Sequence, residues 1–376
     1  MQWHNYSPVK RSGVISRVKL AAGPMFLKSV AVLLFAGVLS AQAGVPPDRL
    51  ELVTGRTEIP QGPQQRGAVV SLLENTLANH NLHLRGNHPY DLQVTFTAAA
   101  STLYPAGSGT LEESWVSGQH WRWTAALGGY SQLQIGSDQG VYGQSQQPMP
   151  MRLKTVREVL FAPVVLRARQ VTIRTASASM NGTALTCILT SAGSNPQVAA
   201  DGRQWYETEY CIDPATSTLR VFSLAPGIYV AYDYANGHKF HDHLLPGKIT
   251  VTENGATTVD AQINSVADAD ANNVALYQPT GAMIAQGAAP VAGMAERFPI
   301  LIPSTNGTAS SAVEHVIVHA TLDRAGKILE LEALQTNSST LKALQHVMAT
   351  TFGALPTPQG ASPLLREAYI NVRVMN

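Results

Sequence analysis

From Tyr90 onward the chain repeats one pattern: apolar residues at every second position, interrupted by Gly, Asp and Ser. Leu92, Val94 and Phe96 alternate with polar neighbours. Trp115, Trp121, Trp123, Tyr130, Leu133, Ile135, Val141 and Tyr142 then recur between glycines. A two-residue period places successive side chains on opposite faces of a strand, and short strands joined by turn residues predict an antiparallel meander. Strands resume at Val171–Ile173, Leu219–Phe222, Tyr229–Tyr234 and Ile249–Val251. Helical spacing is confined to a few places. Val69, Val70, Leu73 and Leu77 share one side of a helix within 67–80, and Met151–Phe161 reads as a second helix, ended by Pro163. The fold class expected is α+β.

Charge excludes some functions. The 376 residues carry a formal net charge of +1, and only 14% are charged, so neither a nucleic-acid surface nor a cation store is indicated. Lys10, Arg11, Arg17, Lys19 and Lys28 precede an apolar run from Val30 to Leu39, followed by Ala41-Gln42-Ala43. That is the layout of a secretory signal over 1–43, cut after Ala43, with Met25 as an alternative start. The apolar run is shorter than the ~20 residues of a spanning helix. A periplasmic or other extracytoplasmic location is expected, with an uncleaved inner-membrane anchor as the alternative. Cys187 and Cys211 each lie in a strand-like run, with Gly193, Asn195-Pro196 and Asp201-Gly202 between them. A hairpin would bring the thiols together, and an oxidising compartment would keep them bonded. Closing such a loop is worth roughly 3 kcal/mol in the chain-entropy model.

The length predicts two domains. An irregular segment and helix occupy 44–85, a strand-rich domain 86–264, a linker 265–309 and a compact module 310–376. The linker holds Asp268-Ala269-Asp270-Ala271-Asn272-Asn273 and then Ala-, Gly- and Pro-rich sequence of little periodicity. In the last module Val316, Val318, Ala320 and Leu322 form a half-buried strand, and Asp323-Arg324-Ala325-Gly326 turns the chain. Leu329, Leu331 and Ala333 face one way in the next strand, Glu330 and Glu332 the other. Leu341, Leu344, Val347, Met348 and Phe352 fit a helix stopped by Gly353, and Ala368, Ile370, Val372 and Val374 fit a last strand.

This strand-turn-strand-helix-strand order, with its Asp-Arg-x-Gly turn and Phe-x-x-x-Pro exit, resembles the C-terminal domain of TonB-family proteins. The resemblance implies a docking module for an envelope partner, joined by strand addition, with Ile370, Val372 and Val374 as the docking strand. Trp115-Val116-Ser117-Gly118 through Trp121-Arg122-Trp123, Tyr130, Asp138, Val141-Tyr142, Tyr210-Cys211-Ile212-Asp213 with Leu219, and Lys248-Ile249-Thr250-Val251 resemble the lipoprotein-carrier (LolA/LolB-like) families. That resemblance implies an antiparallel open half-barrel lidded by helices over an apolar cavity. Trp115, Trp121, Trp123 and Tyr130 would line it, and lipid would be the ligand. The competing reading is that these aromatics fill a core.

Catalytic signals are sparse. Neither a Gly-x-Ser-x-Gly elbow, a His-Glu-x-x-His helix nor a phosphate loop is present. Asp268-x-Asp270-x-Asn272 begins like a calcium loop but has Asn273 at the sixth position and Pro279 at the twelfth. His238, His241, Asp242 and His243 are the one metal-like cluster, on an expected loop. The expectation is an exported non-enzymatic envelope protein without a cofactor, pairing an apolar-ligand domain with a docking module. The alternatives are an inner-membrane energy transducer of TonB type and a metal-dependent enzyme using His238–His243.

Overall fold

A computed structural model describes residues 52–53, 55–83, 88–161, 171–192, 201–289, 291–292, 295–303, 313–334, 347, 349–350, 352–353 and 364–375. The chain divides into two compact units, Met1–Val45 and Pro46–Asn376. The first, with the expected signal segment, lies outside the described residues. No helix among the described residues is long and apolar enough to cross a membrane.

Within the second unit, helix α1 (Gly62–His80) precedes five strands: β1 (Tyr90–Ala98), β2 (Gly107–Ser117), β3 (His120–Leu127), β4 (Tyr130–Ser137) and β5 (Gly140–Gly143). Helix α2 (Met151–Phe161) follows. Next come β6 (Val171–Met180), β7 (Thr183–Ala192), β8 (Thr208–Asp213), β9 (Thr218–Ser223) and β10 (Ile228–Asp233). A small hairpin, β11 (His238–Phe240) and β12 (His243–Leu245), leads into β13 (Lys248–Glu253) and β14 (Ala256–Asp268). The chain ends with a 3-10 turn (Val274–Tyr277), α3 (Gly281–Gln286), β15 (Val291–Ala292), β16 (Glu296–Pro303), β17 (Val313–Leu322), β18 (Ile328–Ala333) and β19 (Leu364–Met375).

Twelve strands form one sheet in the order β5-β4-β3-β2-β1-β14-β13-β10-β9-β8-β7-β6. Every neighbouring pair is antiparallel. The alternation read from Tyr90 onward is therefore the sheet's own period. β5 and β6 stand at opposite ends, so the sheet is open. Its winding explains the position of α2. The chain builds outward from β1 to β5, must reach the far end to start β6, and then builds back until β14 closes onto β1. α2 lies in that crossing and packs on the inner face of the sheet, beside α1. Nine of its eleven residues are buried, so it has no solvated face.

Cys187 and Cys211 sit directly opposite one another on β7 and β8 and form a disulfide. Both are fully buried on the outer face with Val53, Leu185, Leu189, Val221 and Tyr229. The covalent link thus closes a small second core on the side away from the helices.

The second sheet is smaller, ordered β18-β17-β19, with β15 and β16 both pairing parallel to the remaining edge of β19. The stretch 265–309, expected as a linker, differs from that reading. β14 runs on to Asp268, Tyr277, Met283 and Ala289 are buried, and β16 is an integral strand. Its Phe298, Ile300, Leu301 and Ile302 form an almost unbroken apolar run, which is how parallel strands read, so period-two alternation could not reveal it. The 323–326 turn is as expected. Gly326 has φ +83°, and a Cβ there would lie 2.3 Å from the Gly353 carbonyl oxygen. Most of the expected 341–352 helix lies outside the described residues, though Val347 and Phe352 pack on the sheet's apolar face.

A second correction concerns the polar side of this sheet. Val316, Val318, Ala320 and Leu322 meet Ala368, Ile370 and Val372 in one core, as their alternation implies. The intervening His319, Thr321, Glu330 and Glu367 are buried as well instead of facing water. They face α2 and the large sheet, and Ile317 and Tyr369 join the large core. α2 supplies the compensating charge. Arg152 pairs with Glu253 of β13 and lies 3.5 Å from Glu332 of β18, while Lys154 pairs with Glu367 of β19 and lies 3.0 Å from Glu158. His319 Nε2 is 2.5 Å from Glu367 Oε1. Glu330 accepts a hydrogen bond from the Met151 backbone N–H (2.7 Å) at the start of α2, where helix amides otherwise lack partners.

Removing one partner of a buried pair leaves a desolvated charge and costs about 3–5 kcal/mol. Lys154→Met and Glu367→Gln should each lose stability on that scale in urea unfolding, and the double variant should lose less than their sum. Additivity within about 0.5 kcal/mol would show that the pair does not couple the two sheets.

Candidate functional site

The inner face of the large sheet carries the largest apolar cluster among the described residues. Ala125, Leu111, Val94 and Ile263 lie side by side across β3, β2, β1 and β14. Phe96, Ala261, Ile249 and Tyr232 continue that surface across β1, β14, β13 and β10. Leu73 and Leu77 of α1 and Leu153, Val156, Val159 and Leu160 of α2 cover it.

The four aromatics expected at a cavity lie on this face. Trp115, Trp123 and Tyr130 are buried in the shared core, and Trp121 is half-buried against it. Trp123 donates from Nε1 to Gln134 Oε1 at 3.1 Å, and Trp115 stacks with Tyr90. Trp121 lies over Gly136, where a Cβ would come within 2.2 Å of its ring nitrogen. The covered state seen here is the core-filling arrangement for all but Trp121.

Sequence reasoning missed what holds Trp121 and Trp123 together. The Arg157 guanidinium of α2 sits 5.3 Å from the Trp121 ring centroid and 4.9 Å from that of Trp123, a cation–π arrangement. Its Nη2 is 3.6 Å from the buried Glu113 carboxylate, which His83 approaches to 3.4 Å. Against the upward push of burial, His83 and Arg157 hold the Glu113 carboxyl below its usual range. The His83 ring stacks on Phe161 with centroids 3.9 Å apart. A glutamate at a core-facing position of β2 was the available signal, because a buried carboxylate demands a cationic partner.

The last turn of α2 is held by another pair. Tyr232 donates to the Val159 carbonyl at 2.9 Å, and His80 Nε2 lies 3.4 Å from the same oxygen. Helix C-terminal carbonyls lack intrahelical donors, so these side chains satisfy the end of α2 from the sheet and from α1. The His80 and Tyr232 rings meet edge to face at 4.9 Å.

The histidines of 238–243 do not converge. His238 Nε2 lies 2.8 Å from the Ile263 carbonyl, His241 Nε2 2.6 Å from Asp268 Oδ1, and His243 Nδ1 3.1 Å from the Asn79 carbonyl. The metal-enzyme alternative needs them on one ion, and the hairpin sends them to three different acceptors. The expected docking strand is also placed differently from a free edge. Ile370 and Val372 are fully buried, and β19, which includes Val374, is paired along both edges, by β17 and β16.

Burial, opposed by the Val159 carbonyl, pushes the His80 imidazole down to about 4. The unfolded chain binds a proton at His80 below about 6.5, whereas the folded one stays neutral until about pH 4. Stability is therefore lost as pH falls from 6.5 to 4, by about 3 kcal/mol in total from this group. His80→Gln should flatten that part of the stability–pH curve measured by denaturant unfolding, whatever its effect at pH 8. An unchanged slope would exclude His80 as its source.

No protein-family model and no curated protein matches this chain. Solved structures with some likeness include a domain named for outer membrane lipoprotein sorting from Vibrio parahaemolyticus. It is 8% identical, with a TM-score of 0.34 over 55% of this chain and 97% of that one. A LolA-superfamily protein from Nitrosomonas europaea also has 8% identity and a TM-score of 0.34, over 56% of this chain and 97% of that one. Scores this low carry neither a ligand nor a partner over to this chain.

Proposed function

We propose that this is a non-enzymatic, exported cell-envelope protein that takes an apolar, lipid- or lipoprotein-type ligand on the inner face of its large sheet. One observation carries the reading: an open antiparallel sheet presents a continuous apolar face, on which the two helices α1 and α2 pack. α1 and α2 act as lids, and the ligand replaces their apolar contacts when it binds. Each methylene transferred from water contributes about 0.8 kcal/mol, so an acyl chain offsets the separation of lid from sheet. Trp121 marks the entrance, because it is the one aromatic of the four left half-exposed. Trp115, Trp123 and Tyr130 form the floor beneath it.

The small sheet serves as the docking module in this proposal. A partner strand adding to β19 takes the place of β16, because the opposite edge is committed to β17. Pro299 and Pro303 deprive β16 of two backbone donors, which makes it the weaker neighbour.

Protein purified from its native envelope should carry extractable lipid near one equivalent and have a mature N-terminus at Gly44. Trp121→Ala should lower the lipid content several-fold while the protein still folds. Ligand-free protein that also fails to take up a fluorescent fatty acid would overturn the proposal.

A further inference from the structure

A second candidate site lies where the β10–β13 connection leaves the large sheet, and its chemistry is opposite to that of the apolar face. A half-open cleft of about 360 Å³ is bounded by Asp233, Asn236, His238, Gly247, Lys248, Gln262, Ile263 and Asn264. This is within the range of small-molecule sites, roughly 300–1,000 Å³. Its floor follows from strand register. Asp233, Lys248 and Gln262 are consecutive cross-strand neighbours on β10, β13 and β14, all exposed.

The wall is held in place by backbone. Gly247 donates to the Asp233 carbonyl at 2.9 Å and accepts from the Ile263 N–H at 3.1 Å. A Cβ at Gly247 would lie 2.4 Å from the Asn236 carbonyl oxygen, so glycine is needed for the 234–237 turn to approach the sheet. His238 is pinned to the Ile263 carbonyl, which fixes the start of β11 beside the floor.

The polar groups around this cleft are only partly committed. Lys248 pairs with Asp260 at 2.8 Å, Asp233 Oδ1 accepts from the Ala235 N–H, and Asn264 Oδ1 accepts from Thr95. Among the described residues the side chains of Asn236 and Gln262 make no hydrogen bond, and the Asn264 amide nitrogen keeps its donors. An amide offers a donor and an acceptor side by side, which matches adjacent hydroxyl groups on a ring. One carboxylate and one ammonium leave the lining without net charge, which disfavours phosphate and divalent cations alike. The Ile263 side chain is buried on the opposite face, and the other side chains around the cleft are polar.

We infer that this cleft binds a neutral polyhydroxylated ligand, one sugar ring in size, through Asn236, Gln262 and Asn264 with Asp233 and Lys248 at its ends. The inference is independent of the apolar-ligand reading and survives its failure. The test is an NMR titration of the intact, disulfide-bonded protein with glucose, galactose and N-acetylglucosamine, and with inorganic phosphate as a contrast. Saturable shifts at Gly237, Gly247 and Lys248 with at least one sugar are expected. Gln262→Ala, on an exposed strand position, should weaken them about tenfold, the effect of losing one or two hydrogen bonds. Asn236→Ala reports the same loss from the opposite wall. The absence of saturable shifts with all three sugars would overturn the assignment. So would shifts given equally by phosphate, or sugar shifts unchanged in both variants.

Discussion

Two cations on one short helix hold this structure together. Arg152 and Lys154 of α2 are buried between the two sheets and meet carboxylates from both: Glu253 of the large sheet, and Glu332 and Glu367 of the small one. Glu253 and Glu367 are buried, and each has one of these cations as its partner. A desolvated carboxylate needs a counter-charge and hydrogen bonds, and Lys154 and Arg152 bring positive charge to Glu367 and Glu332 of the small sheet. Buried ion pairs add little net stability over an apolar interface, yet they are intolerant of misplacement. Their consequence here is geometric. The pairs tie the small sheet to α2, and α2 in turn packs on the inner face of the large sheet.

The same helix covers part of that face. It lies in the crossing from one end of an open sheet to the other, so its position follows from the winding of the chain. Its first backbone amide is capped by Glu330, and the Val159 carbonyl in its last turn is met by Tyr232 and His80. Arg157 joins its middle to the two tryptophans and to Glu113. α2, the small sheet and the large sheet are therefore joined by one set of polar contacts laid over an apolar surface.

Much of the large sheet is legible in the sequence because antiparallel strands with one covered face keep a strict period of two. Leu92, Val94 and Phe96 and the Cys187–Cys211 hairpin are examples. The rest is hidden where that condition fails. β16 is parallel and almost wholly apolar from Phe298 to Ile302, and so reads as featureless connector. His319, Thr321 and Glu330 look like a solvated face, because alternation tells polar from apolar but not buried from exposed. Arg152 and Lys154 look like ordinary helix-surface charges, since their partners are distant in sequence and only the assembled sheets bring them together. The aromatic positions are readable, whereas the Arg157–Glu113 contact between them is not.

The central claim is that 46–376 folds as one cooperative unit through α2. Differential scanning calorimetry of the disulfide-bonded protein at neutral pH tests it most directly. One transition is predicted, with equal calorimetric and van't Hoff enthalpies. Two separable transitions, with the small sheet melting while the large sheet stays intact, would contradict it.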